Sequence, residues 1–438
     1  MKRTPLEPWI VKRANLKENT QKALRAYQLE RLVQTLAYAK EKSRFYKSSL
    51  AKIEIQTIRS LKDFSKIPFT TPKEIKKNSQ DFLCVSAHEI ERIVTLNTSG
   101  TTGDEKRIFF SQEDLALTID FFQHGMNSLI EDTDKVMVLL PGSAFGSIGD
   151  LLKKALSRSH IECIVQGVLN DVEATALSIV EQDITCLVGI PMQIFYLSKV
   201  KPELFSHRIS KVLLSTDYVP NALVQTLSRQ GCLVYNHYGM TEMGYGGGVE
   251  CGCLNGYHLR ENDLYFEIVD PVTGEVVEDG TYGEVVFTML NRQAMPLIRY
   301  KTGDTARFIT EPCACGTFLR RMDKVLGRIE NKIHVNGHDV HLREMDEIVL
   351  GFAQIIDYQL SAYDNDTLDL KLVFVRHTHT KELVKEIVQR IREHFAFAFL
   401  LTLEIVEDDG STTMTRSMVK RTLQDYRQTR STQNENYP

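Results

Sequence analysis

The chain has no excess of charge of either sign. Fifty-three lysines and arginines stand against 57 aspartates and glutamates, a net charge of −4, and an isoelectric point near 6.3 leaves no electrostatic footprint for nucleic acid. There is no apolar run of the roughly 18 residues that a membrane span needs, and Met1-Lys2-Arg3-Thr4-Pro5 leads into no signal-peptide core. The chain also lacks the Gly-Lys-Ser or Gly-Lys-Thr that would turn its glycine- and hydroxyl-rich stretch into a nucleotide-hydrolase P-loop. What remains is ordinary for a globular protein: 42% hydrophobic and 25% charged residues. At 438 residues the chain exceeds what one core normally holds, so two domains are expected. A cytoplasmic enzyme is the expectation.

The stretch that is present, and that organises the rest, is Leu96-Asn97-Thr98-Ser99-Gly100-Thr101-Thr102-Gly103-Asp104-Glu105-Lys106. Gly100 and Gly103 let the backbone turn tightly and approach a ligand, while Ser99, Thr101 and Thr102 supply donors for phosphate oxygens. Such composition can also mean a surface linker. Here it lies between two strand-like segments, Ile93 to Leu96 and Arg107 to Ser111, and so reads as a hairpin loop. Ahead of it, Asn15 to about Lys52 is charged and helical, with Leu29, Leu32, Leu36 and Ala39 at helical spacing. Thr71 and Pro72 mark another helix start.

From 112 to 235 helical and strand patterns alternate. Apolar strands at 136–140, 161–165, 186–190 and 212–215 are separated by helices, as in a buried sheet covered on both faces. Ligands on such sheets gather at the carboxyl ends of strands, which favours the loops Pro141 to Gly149, containing Phe145, and Ser215-Thr216-Asp217-Tyr218. Next comes Tyr235-Asn236-His237-Tyr238-Gly239-Met240-Thr241-Glu242, then the strand and turn 264–275 with an antiparallel partner at 280–288, and then Tyr300-Lys301-Thr302-Gly303-Asp304. Beyond Gly327-Arg328-Ile329-Glu330, strands at 332–335, 355–362, 367–375 and 401–406 and helices at 342–351 and 380–397 make a small α+β domain, which ends near Thr415-Arg416-Ser417-Met418-Val419-Lys420.

Eight cysteines fall into two kinds. Cys84, Cys163, Cys186 and Cys232 sit singly, as small buried hydrophobes do. Cys251-Gly252-Cys253 and Cys313-Ala314-Cys315 are paired, with His258 between them, and offer five ligands to a tetrahedral site that needs four. Reduced, unligated thiols are the alternative.

Thr98-Ser99-Gly100-Thr101-Thr102-Gly103 with Lys106, Tyr238-Gly239-Met240-Thr241-Glu242, and Tyr300 to Asp304 resemble, in order, three signatures of the adenylate-forming acyl-CoA synthetase superfamily. The arrangement is similar to its phenylacetate-CoA ligase-like branch. The resemblance covers nearly the whole chain. It implies an α/β fold with a large N-terminal ATP- and acyl-binding domain (1–327), containing helix-flanked sheets and a small β-rich subdomain (about 245–325). A hinge at 328–330 and a mobile α+β lid (331–438) complete it.

The activity implied is AMP-forming acid–thiol ligation. MgATP and a small carboxylic acid, which the branch suggests is compact and aromatic, give an acyl-adenylate, and coenzyme A then takes the acyl group. Transfer to a carrier-protein thiol or an amine, or a catalytically degenerate nucleotide-binding relative, are the alternatives. The resemblance places the loop residues, Ser215, Thr216, Asp217, Gly239, Met240 and Arg328 on the nucleotide, Tyr238 on adenine, Thr241 on the α-phosphate, Glu242 on magnesium and Asp304 on the ribose hydroxyls. His237 reaches the acyl carboxylate or packs, Lys420 stabilises charge at the α-phosphate, Glu330 serves the hinge, and Gly337 lets the thiol's pantetheine pass. The branch pattern selects Cys251, His258, Cys313 and Cys315 for a structural zinc, with Cys253 spare. Relatives imply a homodimer.

Glu105, Asp217, Glu330, Thr415 and Val419 depart from the residues usual at their places.

Overall fold

The computed structural model describes residues 2–96, 105–408 and 421–427. The expected loop residues Thr98 to Gly103, and Lys420, lie outside the described residues. The fold is mixed α/β and divides into two compact units. One comprises 1–134, 141–167 and 235–325, the other 135–140, 168–234 and 326–438.

In the first unit, Arg92–Leu96 and Lys106–Phe110 form the expected antiparallel hairpin, with Leu96 opposite Lys106 at its neck. A three-stranded antiparallel sheet joins Leu264–Val269, Gly283–Met289 and Tyr300–Ala306. Every residue of the middle strand is buried. A further antiparallel run pairs Leu233–Tyr238 with Gly248–Glu250, that strand with Tyr257–Leu259, and then Arg321–Met322 and Phe308–Ile309.

The helix expected across 15–52 is broken into Gln21–Lys42 and Arg44–Ser49, because Ser43 leaves helical dihedrals and caps the second piece through its side chain. Its buried stripe is Leu24, Gln28, Leu32, Thr35, Leu36 and Ala39. Leu29, counted on that face from spacing, is only half-buried. Thr71 caps Pro72–Lys77 with a full capping box, and Ser111 does the same for Gln112–Met126. The helix Leu6–Arg13, not anticipated from the sequence, buries Leu6, Trp9 and Ile10. Its Trp9 indole donates to Asp120 at 2.9 Å.

In the second unit Lys135–Leu139, Cys186–Gly189 and Lys211–Leu214 pair in parallel, as continuous apolar strands should. The helices Val172–Glu181, Pro191–Val200 and Asn221–Arg229 follow the expected order. A mixed sheet has Leu400–Glu407, Thr367–Phe374, Ile355–Ala362 and Gln424–Asp425 in that order. Within this unit Tyr196 donates to Asp408 at 3.0 Å, and Glu347 accepts the backbone N–H groups of Asn221 and Ala222 at 2.7 and 2.9 Å. Glu347 thereby caps a helix whose own N-cap, Pro220, brings no side-chain acceptor. No helix among the described residues is long and apolar enough to cross a membrane.

Candidate active site and metal centre

In the first unit, Lys106 is the first residue of its strand and Tyr300 the first of another. Glu242 lies in the short turn of helix Thr241–Met243. The Lys106 ammonium contacts Glu242 Oε1 directly and lies 3.4 Å from the Tyr300 hydroxyl, which donates to the same Oε1 at 3.1 Å. Burial would raise the Glu242 carboxyl, but the Lys106 charge and hydrogen bond outweigh it. The group therefore lies below its ordinary range and is ionised. An enclosed carboxylate of this kind suits a hard divalent cation, and the lysine beside it suits phosphate oxygens. The resemblance implies no role for Tyr300, which the fold nevertheless brings to Glu242. Its place as the motif's first residue was the available signal.

Tyr238 and Asp304 also meet: the buried phenol donates to Asp304 Oδ2 at 3.0 Å. Burial and the neighbouring Asp304 push that phenol well up, so it remains a donor. Asp304 is steadied by its own N–H on Thr302 Oγ1 at 3.0 Å. Gly239 is fixed by space: a Cβ there would come within 1.9 Å of the Tyr245 carbonyl oxygen. Met240 precedes Thr241 in the turn, its carbonyl accepting the Met243 and Tyr245 N–H groups at 3.1 and 2.9 Å.

His237 is buried, with the Phe121 and Phe122 rings each 6.1 Å away. Burial pushes its imidazole down to about 4, so it brings no charge at neutral pH. An unfolded histidine titrates near 6.5, so the unfolded chain takes up the proton first as pH falls. Stability from this residue is therefore complete above about pH 6.5 and declines toward pH 4, by about 1.4 kcal/mol per pH unit inside that window. His237→Phe should flatten the acid side of the stability curve, measured by urea unfolding between pH 6.5 and 4.5. An unchanged slope would count against a neutral buried His237.

Cys251, His258, Cys313 and Cys315 converge in the same unit, all buried, with their ligand atoms within 4.8 Å of one another. Cys251 and Cys313 sulfurs are 3.7 Å apart, and Cys315 Sγ is 3.6 Å from His258 Nε2. A tetrahedral zinc with bonds of about 2.3 Å to sulfur and 2.0 Å to nitrogen puts such pairs about 3.8 and 3.5 Å apart. A disulfide would need about 2.05 Å. Cys253 stays outside the four and is half-buried, its backbone N–H donating to Cys251 Sγ at 3.5 Å. Among the single thiols, Cys84, Cys186 and Cys232 are buried and Cys163 is partly so.

In the second unit Ser215 follows its strand and donates its N–H to Gly189 O at 3.1 Å, and Thr216 takes a left-handed φ of 81°. Asp217 accepts the backbone N–H groups of Tyr218 and Arg421, each at 2.9 Å. Arg421 was not anticipated. It is buried between Asp346 at 2.7 Å and Asp357 at 2.8 Å, and it directly follows Lys420 in sequence. Arg328 and Glu330 lie in a turn where their carbonyls each accept a backbone N–H, from Asn331 and Lys332, at 3.0 Å. Gly337 has a local reason: Asn336 and Gly337, both at positive φ, form the two-residue turn between Lys332–Val335 and His338–His341. Phe145, in the strand-end loop considered for ligand binding, is 53% exposed, with the Lys154 ammonium 4.3 Å from its ring centre.

Residues 18–291 match the family model described as AMP-binding enzyme. The chain is 26% identical over 421 residues to a phenylacetate-coenzyme A ligase of Thermus thermophilus, covering 92% of this chain and 90% of that one. It is 28% identical over 367 residues to one of Pseudomonas putida, covering 79% and 80%. Among solved structures, 2-hydroxyisobutyryl-CoA ligase in a postadenylation state with 2-HIB-AMP superposes with a TM-score of 0.82 at 18% identity, over 95% of this chain and 92% of that one. The same ligase in its thioesterification state gives 0.66 at 19% identity, over 94% and 92%.

Proposed function

Because this chain belongs to the AMP-binding enzyme family, we propose that it is an AMP-forming acid–thiol ligase of the phenylacetate-CoA ligase-like kind. The observations that carry this reading are the buried set Lys106, Glu242 and Tyr300 together with the bonded pair Tyr238 and Asp304. They assemble chemistry for polyphosphate, a divalent cation and ribose from three stretches far apart in sequence.

In the first step a carboxylate oxygen of a small, aromatic acid attacks the α-phosphorus of ATP. The bond to the bridging oxygen breaks and pyrophosphate leaves. Lys106, with the loop residues 98–103, holds the polyphosphate, Thr241 donates to the α-phosphate, and Lys420 stabilises the charge that grows there. Tyr238 stacks on adenine and Asp304 accepts from the ribose hydroxyls. Glu242 would hold magnesium, which supplies charge neutralisation at the phosphates. His237, uncharged, lines the acyl side as a polar wall. In the second step the thiol sulfur of coenzyme A attacks the acyl carbonyl and AMP leaves. Glu330 and Gly337 serve the hinge and the thiol's passage. No side-chain nucleophile is needed, because the adenylate is itself the activated acyl group.

The cluster of Cys251, His258, Cys313 and Cys315 would hold a structural zinc, since four protein ligands leave no open position for substrate. A cytoplasmic setting, where thiols stay reduced, suits both the metal and coenzyme A.

The test is ATP–pyrophosphate exchange over aryl, short-chain and fatty acids, with and without coenzyme A, on the native protein and Lys420→Ala. The expected result is exchange with small aryl acids, thioester formed only with coenzyme A present, and at least a hundredfold weaker exchange in Lys420→Ala. Exchange without thioester would shift the acceptor to a carrier-protein thiol or an amine. ATP binding without exchange for any acid would indicate a degenerate relative.

A further inference from the structure

Glu250 is completely buried, 0% exposed, at the end of the strand Gly248–Glu250. None of the signatures contains it, yet its carboxylate is the meeting point of three segments. Oε2 accepts the backbone N–H and the side-chain amide of Asn236, each at 2.8 Å. Oε1 accepts the Gly256 N–H at 3.3 Å and lies 3.5 Å from the Lys324 ammonium. Asn236 stands two residues before Tyr238, Gly256 lies inside the loop bounded by Cys251 and His258, and Lys324 stands four residues before Arg328.

A buried carboxylate is costly to keep unless its lone pairs are filled. Here three N–H donors and one cation fill them, so the geometry of each donor segment is tied to the others. The strand that carries Tyr238 has little freedom of its own at this point, because Asn236 is bonded through both main chain and side chain. Across the ladder Glu250 is opposite Tyr257, whose ring lies 5.8 Å from that of Tyr238.

We propose that Glu250 is a positioning residue for the nucleotide: it sets Tyr238 against adenine by clamping Asn236, and joins that setting to the metal loop through Gly256 and to the segment before the hinge through Lys324. The inference rests on the adenylating reading of the same site.

Glutamine is isosteric at 250 but cannot replace the carboxylate. Whichever way its amide turns, the NH2 group faces either the two Asn236 donors or the Gly256 N–H and Lys324. Glu250→Gln therefore tests the charge and acceptor pattern without removing volume. The expected result is a KM for ATP raised about tenfold, with kcat and the KM for the acid within about twofold, and zinc content and far-UV circular dichroism unchanged. AMP affinity, measured by calorimetry without any acid, should weaken by the same factor. Lys324→Met, on a partly exposed side chain, should raise the KM for ATP severalfold, and the double variant should be no worse than Glu250→Gln alone.

A lower melting temperature with unchanged ATP KM and AMP affinity would reduce Glu250 to a structural role and overturn the inference. If Glu250→Gln does not fold, an unchanged nucleotide affinity in both Lys324→Met and Asn236→Ala would overturn it equally. A native protein that binds AMP but exchanges with no acid would overturn the ligase reading and leave the calorimetric comparison to decide this one. One that binds no adenine nucleotide would overturn both.

Discussion

Glu242→Gln is expected to lower the rate of ATP–pyrophosphate exchange about a thousandfold, roughly 4 kcal/mol of transition-state stabilisation. The substitution keeps the shape and removes the charge. In the native protein the Glu242 carboxylate takes the Lys106 ammonium and the Tyr300 hydroxyl on one oxygen, and the lysine side chain is only 11% exposed. With an amide in that place, Lys106 keeps its charge in a poorly hydrated position and the proposed magnesium loses its carboxylate. Titrating magnesium should show a higher concentration needed for half-maximal exchange rather than a simple loss of protein. Melting curves on the same preparation separate catalysis from folding. Tyr300→Phe removes one neutral donor only and should cost about tenfold. Exchange by Glu242→Gln within a few-fold of the native rate would remove Glu242 from the mechanism.

Cys313→Ser is expected to abolish zinc binding and lower the melting temperature by about 10 °C. Two pairs of ligand atoms already stand at tetrahedral spacings and all four lie within 4.8 Å of one another, and a structural zinc of this type contributes its binding energy directly to folding. Losing several kcal/mol from a unit of this size moves the midpoint by roughly 2–4 °C per kcal/mol. The protons help to explain the dependence on metal. Burial pushes the Cys251 thiol up. Burial acts on Cys315 as well, but hydrogen bonds from His258 and from the backbone of Thr4 and Thr317 pull that thiol below its usual range. A divalent cation would hold both as thiolates. Metal analysis of the native protein should give one zinc per chain, and a chelator should reproduce the variant's melting temperature. Cys253→Ser should change neither quantity. A metal-free native protein with an unshifted midpoint would rule the centre out.

The parts of this molecule that its sequence discloses are those whose chemistry is local. The hairpin at 92–110, the antiparallel pair of 264–275 with 280–288 and the helix start at Thr71 and Pro72 each depend on residues close together in the chain. They appear as expected. The choice of Cys251 over Cys253 agrees with the four ligand atoms that converge, although cysteine spacing alone left five candidates.

What stayed hidden depends on distant partners. Leu6–Arg13 is a short helix whose formation is tied to burial of Leu6, Trp9 and Ile10 and to Asp120, none of which its own periodicity displays. Glu250 and Arg421 look like ordinary surface charges in one dimension. Only folding brings Asn236 and Lys324 to the first, and Asp346, Asp357 and Asp217 to the second. The break at Ser43 was hidden for the opposite reason: a serine in a charged helical pattern is tolerated either way, and its side-chain bond to the Tyr46 N–H decides.

The hydrogen bond from Tyr238 to Asp304 joins residues 66 positions apart at 3.0 Å. The rotamers of the ring proposed to stack on adenine and of the carboxylate proposed to accept from ribose are thus held by the fold itself, so an arriving nucleotide would not have to order them. Immobilising a rotamer-rich side chain on association typically costs about 0.5–1.5 kcal/mol. That entropy is lost when the two sheets that carry these residues pack together, before any ligand is met. On the proposed reading, selectivity for the sugar would then come from rigidity: a ligand whose hydroxyls were displaced by a fraction of an ångström would meet a carboxylate that does not follow it.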